Sequence, residues 1–162
     1  MKRTALLIGA VGLLGAQAYA TDWFDDFESY PLGSEPCGSG GWEGWDGSSG
    51  VCGLITDTVG GVSGTQALFI EGITPGLGDD TVQPFYDITS GQWEFVIWTY
   101  MPQASTGDPY VILLNTYHTA AFNWSAQIRF DRTYDIVVAE FDEEEIPMIF
   151  DQWVELKVVI DL

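Results

Sequence analysis

Basic residues are scarce in this chain of 162 residues. Five Lys and Arg stand against 24 Asp and Glu, and two of the five bases are Lys2 and Arg3 at the start. Nucleic-acid binding depends on Lys and Arg that neutralise phosphates. The charge balance therefore excludes nucleic acid as a partner. It also repels anionic sugars unless a metal ion intervenes.

Helical periodicity is lacking as well. No long window spaces its apolar residues by three and four, and Gly, Pro, Asp and Ser interrupt the chain repeatedly. Aromatic residues make up 14% of the chain, which is unlike a disordered composition. Apolar and polar residues alternate instead, as in short antiparallel strands. The predicted strands cover residues 23–30, 41–46, 53–58, 66–71, 81–86, 92–101, 110–117, 124–131, 136–142 and 153–162.

The first twenty residues predict a secretory signal peptide. Two basic residues precede an apolar run over 5–16, and Ala18-Tyr19-Ala20 places small residues where signal peptidase needs them. The run is short for a membrane span and has no stop-transfer flank. We therefore expect a signal peptide over 1–20 and one extracellular or cell-surface domain over 21–162, with no membrane span in the mature chain. The alternative is a retained anchor.

Cysteine occurs twice, as Cys37 and Cys52, both in Gly- and Ser-rich sequence. Export places the chain in an oxidising compartment, where an even number of cysteines predicts a disulfide. Closing a loop of this length stabilises the fold by about 3 kcal/mol in the chain-entropy model. Two thiols without a nearby histidine would make a poor zinc site.

The alternation assigns faces to the longer strands. Strand 124–131 predicts a core face of Trp124, Ala126, Ile128 and Phe130. Strand 110–117 predicts a core face of Tyr110, Ile112 and Leu114. If strands 92–101, 110–117 and 124–131 share a sheet, its outer face carries an aromatic and amide set: Trp98, Tyr100, Asn115, Tyr117, Gln127 and Arg129.

This outer set predicts carbohydrate binding. Aromatic planes contact the apolar face of a pyranose, and planar polar groups bind its hydroxyls. The alternative is that a second sheet or a loop covers these aromatics as additional core. Trp42 and Trp45 in 41–46 would point to opposite faces of one strand, so only one can enter the core without a turn between them.

Five short motifs run through residues 21–162: DDFESYPLG at 25–33, GWEGWD at 41–46, SGQWEF at 90–95, LLNTY at 113–117 and DQWVE at 151–155. In this order they resemble the bacterial secreted concanavalin A-like lectin/glucanase domains. The resemblance implies a jelly roll of two antiparallel sheets, an extracellular location and a polysaccharide or glycan as partner. Similar domains commonly continue past the position of Leu162, so we expect this domain to be incomplete at its C-terminal end.

An acidic run offers an enzymatic alternative. Glu140, Asp142 and Glu145 formally match the Glu-x-Asp-x-x-Glu pattern of family 16 glycoside hydrolases, which share the sandwich fold. Glu140 would be the nucleophile, Asp142 its neighbour and Glu145 the acid/base on a β-glucan-type polysaccharide. Residues five apart in a strand face opposite ways unless a bulge intervenes. Consecutive acids followed by Ile146-Pro147 indicate a solvated hairpin turn instead.

Structural Ca²⁺ is the cofactor that the sequence favours, and the alternative is no cofactor. Asp25 and Asp26, or Asp79 and Asp80, offer the hard oxygen ligands that Ca²⁺ prefers. Adjacent Asp residues are also ordinary in loops. His118 is the one histidine, and the chain has no nucleophile motif with which it could form a catalytic triad. We therefore expect His118 to lie in a surface turn.

Three function classes follow. The favoured one is a secreted, non-catalytic carbohydrate-binding or adhesive module. The first alternative is a structural protein of the cell envelope or matrix without a ligand. The second is the family 16-like hydrolase.

Overall fold

The computed structural model describes residues 23–74, 77–118 and 121–162. The predicted signal peptide lies outside these residues. A 3₁₀ turn, Trp45–Gly47, accompanies twelve described strands: β1 Glu43–Gly44, β2 Leu54–Thr56, β3 Ala67–Phe69, β4 Gly72–Thr74, β5 Leu77–Gly78, β6 Thr81–Val82, β7 Gln92–Tyr100, β8 Tyr110–Thr116, β9 Asn123–Asp131, β10 Ile136–Ala139, β11 Glu144–Pro147 and β12 Trp153–Asp161.

The strands form one larger sheet and several pairs. The larger sheet has four strands in the order β11-β10-β9-β8, and β7 pairs with β12 along nine residues. Shorter pairs join β1 to β6, β2 to β3 and β4 to β5. Every pairing among the described residues is antiparallel. The all-β, antiparallel fold is therefore confirmed, while the jelly-roll strand order stays a prediction.

The main core joins the four-stranded sheet to the β7–β12 pair. Met101, Phe130 and Met148 are buried, and Leu156 of β12 packs against them. Burying side chains of this size contributes about 2 kcal/mol each. The packing is imperfect, because an apolar cavity of about 40 Å³ lies between these residues.

A second buried group lies under the N-terminal loops and contains Pro36, Cys52, Ile55 and Ala67. The predicted Cys37–Cys52 disulfide is confirmed, with 6.2 Å between the Cα atoms. Its effect is to fix the Gly-rich segment 38–51 to the start of β2.

Residues 23–30 do not form the predicted strand. The Asp25 Oδ1 atom accepts the N–H of Phe27 at 2.8 Å, and Phe27 has a φ of 63°. A local bond of this kind competes with strand formation. The segment is a loop, held because Asp25 Oδ2 also accepts the Tyr30 hydroxyl at 2.6 Å and the Trp42 indole N–H at 2.8 Å.

Three strands were not predicted: β4, β5 and β11. The strand predicted over 136–142 ends at Ala139, and Glu140–Glu143 forms the turn into β11. The β10–β11 pair is the solvated hairpin that the acidic run indicated, and all four residues of β11 are exposed.

Candidate functional site

The pairing of β8 with β9 decides which side chains face solvent. Tyr110 pairs with Arg129, and Ile112 pairs with Gln127. Direct cross-strand partners lie on the same face of a sheet. Tyr110 and Ile112 therefore lie on the polar outer face, while Val111 packs with the core.

The predicted core face of β8, with Tyr110, Ile112 and Leu114, is wrong. Both alternating sets of this strand are largely apolar, so alternation alone could not choose between them. The register with β9 makes that choice, because Arg129 and Gln127 belong on the outer face.

A bulge in β9 reorients Trp124. Leu113 pairs with Ala126 and Leu114 pairs with Trp124, so Ser125 is the extra residue. The Ser125 hydroxyl donates to the Leu113 carbonyl at 3.0 Å. A bulge reverses the alternation beyond it, and Trp124 therefore lies on the outer face with its partner Leu114. The prediction of Trp124 as core is wrong, and the residue is 41% exposed.

The six predicted carbohydrate-binding residues do not share one sheet. Trp98 and Tyr100 belong to β7, which pairs only with β12 among the described strands. Gln127 and Arg129 lie on β9, and Asn115 is an unpaired, exposed residue at a second irregularity. Tyr117 follows the end of β8. The assumption of a common sheet is wrong, and the binding role of these residues stays a prediction.

A polar network occupies the outer face at β9. Arg129 donates through Nε to Glu140 and through Nη1 to Asp131, and Gln127 Nε2 donates to Glu140 Oε2 at 2.8 Å. Arg129, Gln127, Asp131 and Glu140 are called the Arg129 network below. The hydrogen bond that Asp131 accepts from Arg129 lowers the pKa of Asp131, although burial opposes this shift. Both carboxylates raise the pKa of Arg129, which stays charged.

An open groove of about 480 Å³ lies beside this network. It is lined by Arg129, Val138, Glu140, Glu143 and Glu145. Glu145 reaches it because β11 places this residue opposite Val138. The hairpin thus brings Glu140 and Glu145 to one groove, whereas Asp142 is exposed in the turn and is not part of the lining.

Aromatic rings gather at the other end of the outer face. The Trp45 ring centre lies 4.7 Å from Phe122, 5.3 Å from Tyr117 and 6.3 Å from Trp124. These four residues are called the aromatic cluster. Burial is the main reason that the pKa of Tyr117 rises to about 12, so its hydroxyl stays protonated. Phe122 gave no sequence signal, since it lies outside every predicted strand.

Trp42 and Trp45 contact different groups of aromatic residues, because a 3₁₀ turn begins at Trp45. Trp45 begins this turn and joins the aromatic cluster. Trp42 turns away, donates its indole N–H to Asp25, and packs 5.4 Å from Trp23 and 5.6 Å from Phe27 between ring centres.

His118 lies next to the aromatic cluster between two carboxylates. Its Nε2 is 2.7 Å from Glu43 Oε1, and its Nδ1 is 3.2 Å from Asp46 Oδ1. The residue has a φ of 83°, which is uncommon for a side chain larger than glycine. Sequence reasoning missed these contacts, because the partners are 75 and 72 residues away.

The predicted calcium ligands have other partners. Asp25 accepts three donors, Asp26 Oδ1 accepts the Glu28 N–H, and Asp79 Oδ2 accepts the Glu71 N–H. Burial raises the pKa of Asp80. Among residues 23–74, 77–118 and 121–162, no group of three or more His, Cys, Asp or Glu is arranged to hold a metal ion. The calcium site stays a prediction.

Within the described part of the chain, no helix is long and apolar enough to cross a membrane. The chain matches no protein-family model, no curated protein sequence and no solved structure.

Proposed function

We propose that the protein is exported and binds carbohydrate without cleaving it, on the outer face of β8 and β9. The observation that carries this proposal is the bulge at Ser125. It sets the exposed Trp124 indole on the same face as the side chains of Gln127 and Arg129. Three residues of a strand span about 10 Å, the scale of a disaccharide.

The chemistry of this face suits a sugar. An indole plane contacts the apolar C–H face of a pyranose. The amide of Gln127, the guanidinium of Arg129 and the phenol of Tyr110 are polar groups at the other end, held in register by the β8–β9 pairing. Because the Arg129 network already orders two of these groups, less conformational entropy is lost when a ligand binds.

Charge narrows the ligand class to neutral glycans. Arg129 is paired with both Glu140 and Asp131, so its charge is compensated inside the protein. Glu143 and Glu145 line the adjacent groove and add negative charge. An anionic polysaccharide would be repelled by this surface.

A glycan array and affinity electrophoresis test the proposal. Purified protein should be retained by at least one neutral glycan, and Trp124→Ala should weaken retention about tenfold or more, as is usual for loss of a central aromatic contact. Trp98→Ala is the matched comparison that separates the two predicted locations, because Trp98 is also exposed, at 43%, but lies on the β7–β12 pair.

Circular dichroism must show that both variants keep the fold. Equal retention by the wild type and Trp124→Ala would overturn the choice of this face. Loss of retention in Trp98→Ala alone would move the site to β7–β12. Absence of retention on every glycan would favour the structural alternative.

The resemblance to concanavalin A-like lectin/glucanase domains belongs to the same proposal. It is supported by the five ordered motifs and by the antiparallel all-β fold. The signal peptide predicted over residues 1–20 supports export, and so does the Cys37–Cys52 disulfide, because disulfides persist in oxidising compartments.

The hydrolase alternative rests on one observation, the shared groove of Glu140 and Glu145. Glu140 is already engaged by Arg129 and Gln127. Non-catalytic binding is the function that we favour, since it uses the aromatic and polar groups of the face together.

A further inference from the structure

The two carboxylates beside His118 require a particular protonation state. Glu43 accepts from one ring nitrogen and Asp46 faces the other. A neutral imidazole carries one N–H and can donate to only one of them, whereas the protonated ring donates to both. The geometry therefore fits the imidazolium form.

The same contacts hold Trp45 in place. Glu43 belongs to β1 and Asp46 to the 3₁₀ turn, so both flank Trp45 along the chain. The Asp46 N–H donates to the Tyr117 hydroxyl at 2.7 Å. His118 and Tyr117 thus fix the turn that presses the Trp45 indole toward Trp124, with 6.3 Å between ring centres and 20° between planes.

We propose that His118 is a pH-operated clasp, which holds Trp45 against Trp124 when protonated and releases Trp45 when it loses its proton. At 6.3 Å the two indoles are a direct aromatic pair, with no space for a sugar ring between them. Release exposes the plane of Trp124 that faces Trp45. Only this consequence for ligand access rests on the proposed carbohydrate function.

The direction of the pH effect follows from the groups that face His118. These are Glu43, Asp46 and the neighbouring Tyr117, which stays neutral because its pKa is about 12. Burial opposes protonation of His118, but hydrogen bonds to Asp46 and Glu43 raise its pKa above the ordinary 6.5. A raised pKa means that the clasp is fully formed below pH 6.5 and is lost as the pH rises through the folded-state value.

Nuclear magnetic resonance tests the clasp directly. The chain has one histidine, so its imidazole signal needs no assignment. We expect a titration midpoint above 6.5 that falls in Glu43→Gln and in Asp46→Asn, where Asn tolerates the φ of 52°. Glu94→Gln, an exposed acid paired with Lys157, should leave the midpoint unchanged. A wild-type midpoint at or below 6.5 would overturn the clasp.

Fluorine NMR of protein labelled with 5-fluorotryptophan follows Trp45, whose signal Trp45→Phe identifies. This signal should move with the same midpoint as His118. In His118→Asn, which suits the positive φ, its pH dependence should vanish. A Trp45 signal that ignores the titration would overturn the proposal.

Retention on the glycan identified for this protein tests the consequence for access. Wild-type affinity should rise by about fivefold or more across the titration, the range of an ordinary coupling between sites, and His118→Asn should be insensitive to pH. If His118 and Trp45 titrate together but wild-type retention does not change with pH, the proposed effect on ligand access is overturned. If no glycan retains the protein at any pH, the proposed function is wrong. The two NMR measurements still test whether the clasp exists.

Discussion

Trp124 lies on the same face of the sheet as Gln127, although three positions separate them in the sequence. In a regular strand an odd separation places two side chains on opposite faces. The extra residue Ser125 cancels this difference, since Leu114 pairs with Trp124 and Ile112 pairs with Gln127. The proposed binding face exists because of one inserted residue.

Deleting Ser125 should leave Trp124 on the outer face, because Trp124 then lies two residues from Gln127 in a regular strand and still pairs with Leu114. We expect retention to be kept, unlike in Trp124→Ala, and the free energy of unfolding to change by less than about 1 kcal/mol, because no indole has to enter the packed core. Urea unfolding and affinity electrophoresis measure the two effects. Ser125→Ala keeps the chain length and should cost only about 0.5 kcal/mol for one exposed hydrogen bond. Loss of retention after the deletion, with the fold kept, would contradict this assignment of faces.

Arg129 should stabilise the fold more than a surface cation does. Asp131 is 6% exposed, and Arg129→Ala leaves it without its cation. The pair Lys157–Glu94 is exposed on both sides, so Lys157→Ala should shift the urea midpoint less.

The Arg129 effect should also depend on pH. Arg129 lowers the pKa of Asp131 below its ordinary 3.8. This stabilisation is present above pH 3.8 and is lost as the pH falls through the folded-state pKa. The difference in unfolding midpoint between the wild type and Arg129→Ala should shrink as the pH is lowered below 3.8. A difference that stays constant in acid would contradict the pairing.

Asp25 should act as a structural acceptor. Asp25→Ala strands the donors of Phe27, Tyr30 and Trp42, which should cost about 3 kcal/mol in the free energy of unfolding. Asp26→Ala removes one exposed hydrogen bond and is the control. The free energy of unfolding of both variants is measured by urea unfolding, with and without added calcium. A loss in Asp25→Ala that appears only when calcium is present would assign Asp25 to a metal site instead.

The protein should not hydrolyse β-glucans. A retaining enzyme keeps one carboxyl protonated in a partly apolar setting, whereas the Glu145 side chain is exposed and Glu140 is engaged by Arg129 and Gln127. The assay measures new reducing ends from the β-glucans laminarin and lichenan, and also from the galactans agarose and carrageenan. Turnover that disappears in Glu140→Gln would establish the hydrolase alternative.

The mature protein should begin at Thr21 and contain no free thiol. Intact mass under non-reducing conditions should correspond to a chain from Thr21 with two hydrogens missing. Cys37→Ser with Cys52→Ser should lower the free energy of unfolding by about 3 kcal/mol. Labelling of either cysteine in the wild type by a thiol reagent would contradict the disulfide in the exported protein.

The amino-acid pattern alone was enough to predict the fold class, the disulfide and the long strands. Alternation is a local signal, and it located β7, β8, β9 and β12 to within one or two residues. The chain has two cysteines, which have only each other as partners within it, so the prediction of that pairing needed no tertiary information.

The faces of the strands and the position of the site depend on tertiary contacts. Both sets of β8 side chains are apolar enough for the core, so only the register with Arg129 and Gln127 fixed which set points outward. The Ser125 bulge and the pairing of β7 with β12 also depend on partners distant in sequence. His118 meets Glu43 across 75 residues and Asp46 across 72. Local periodicity carries no information about such contacts, because packing between strands creates them.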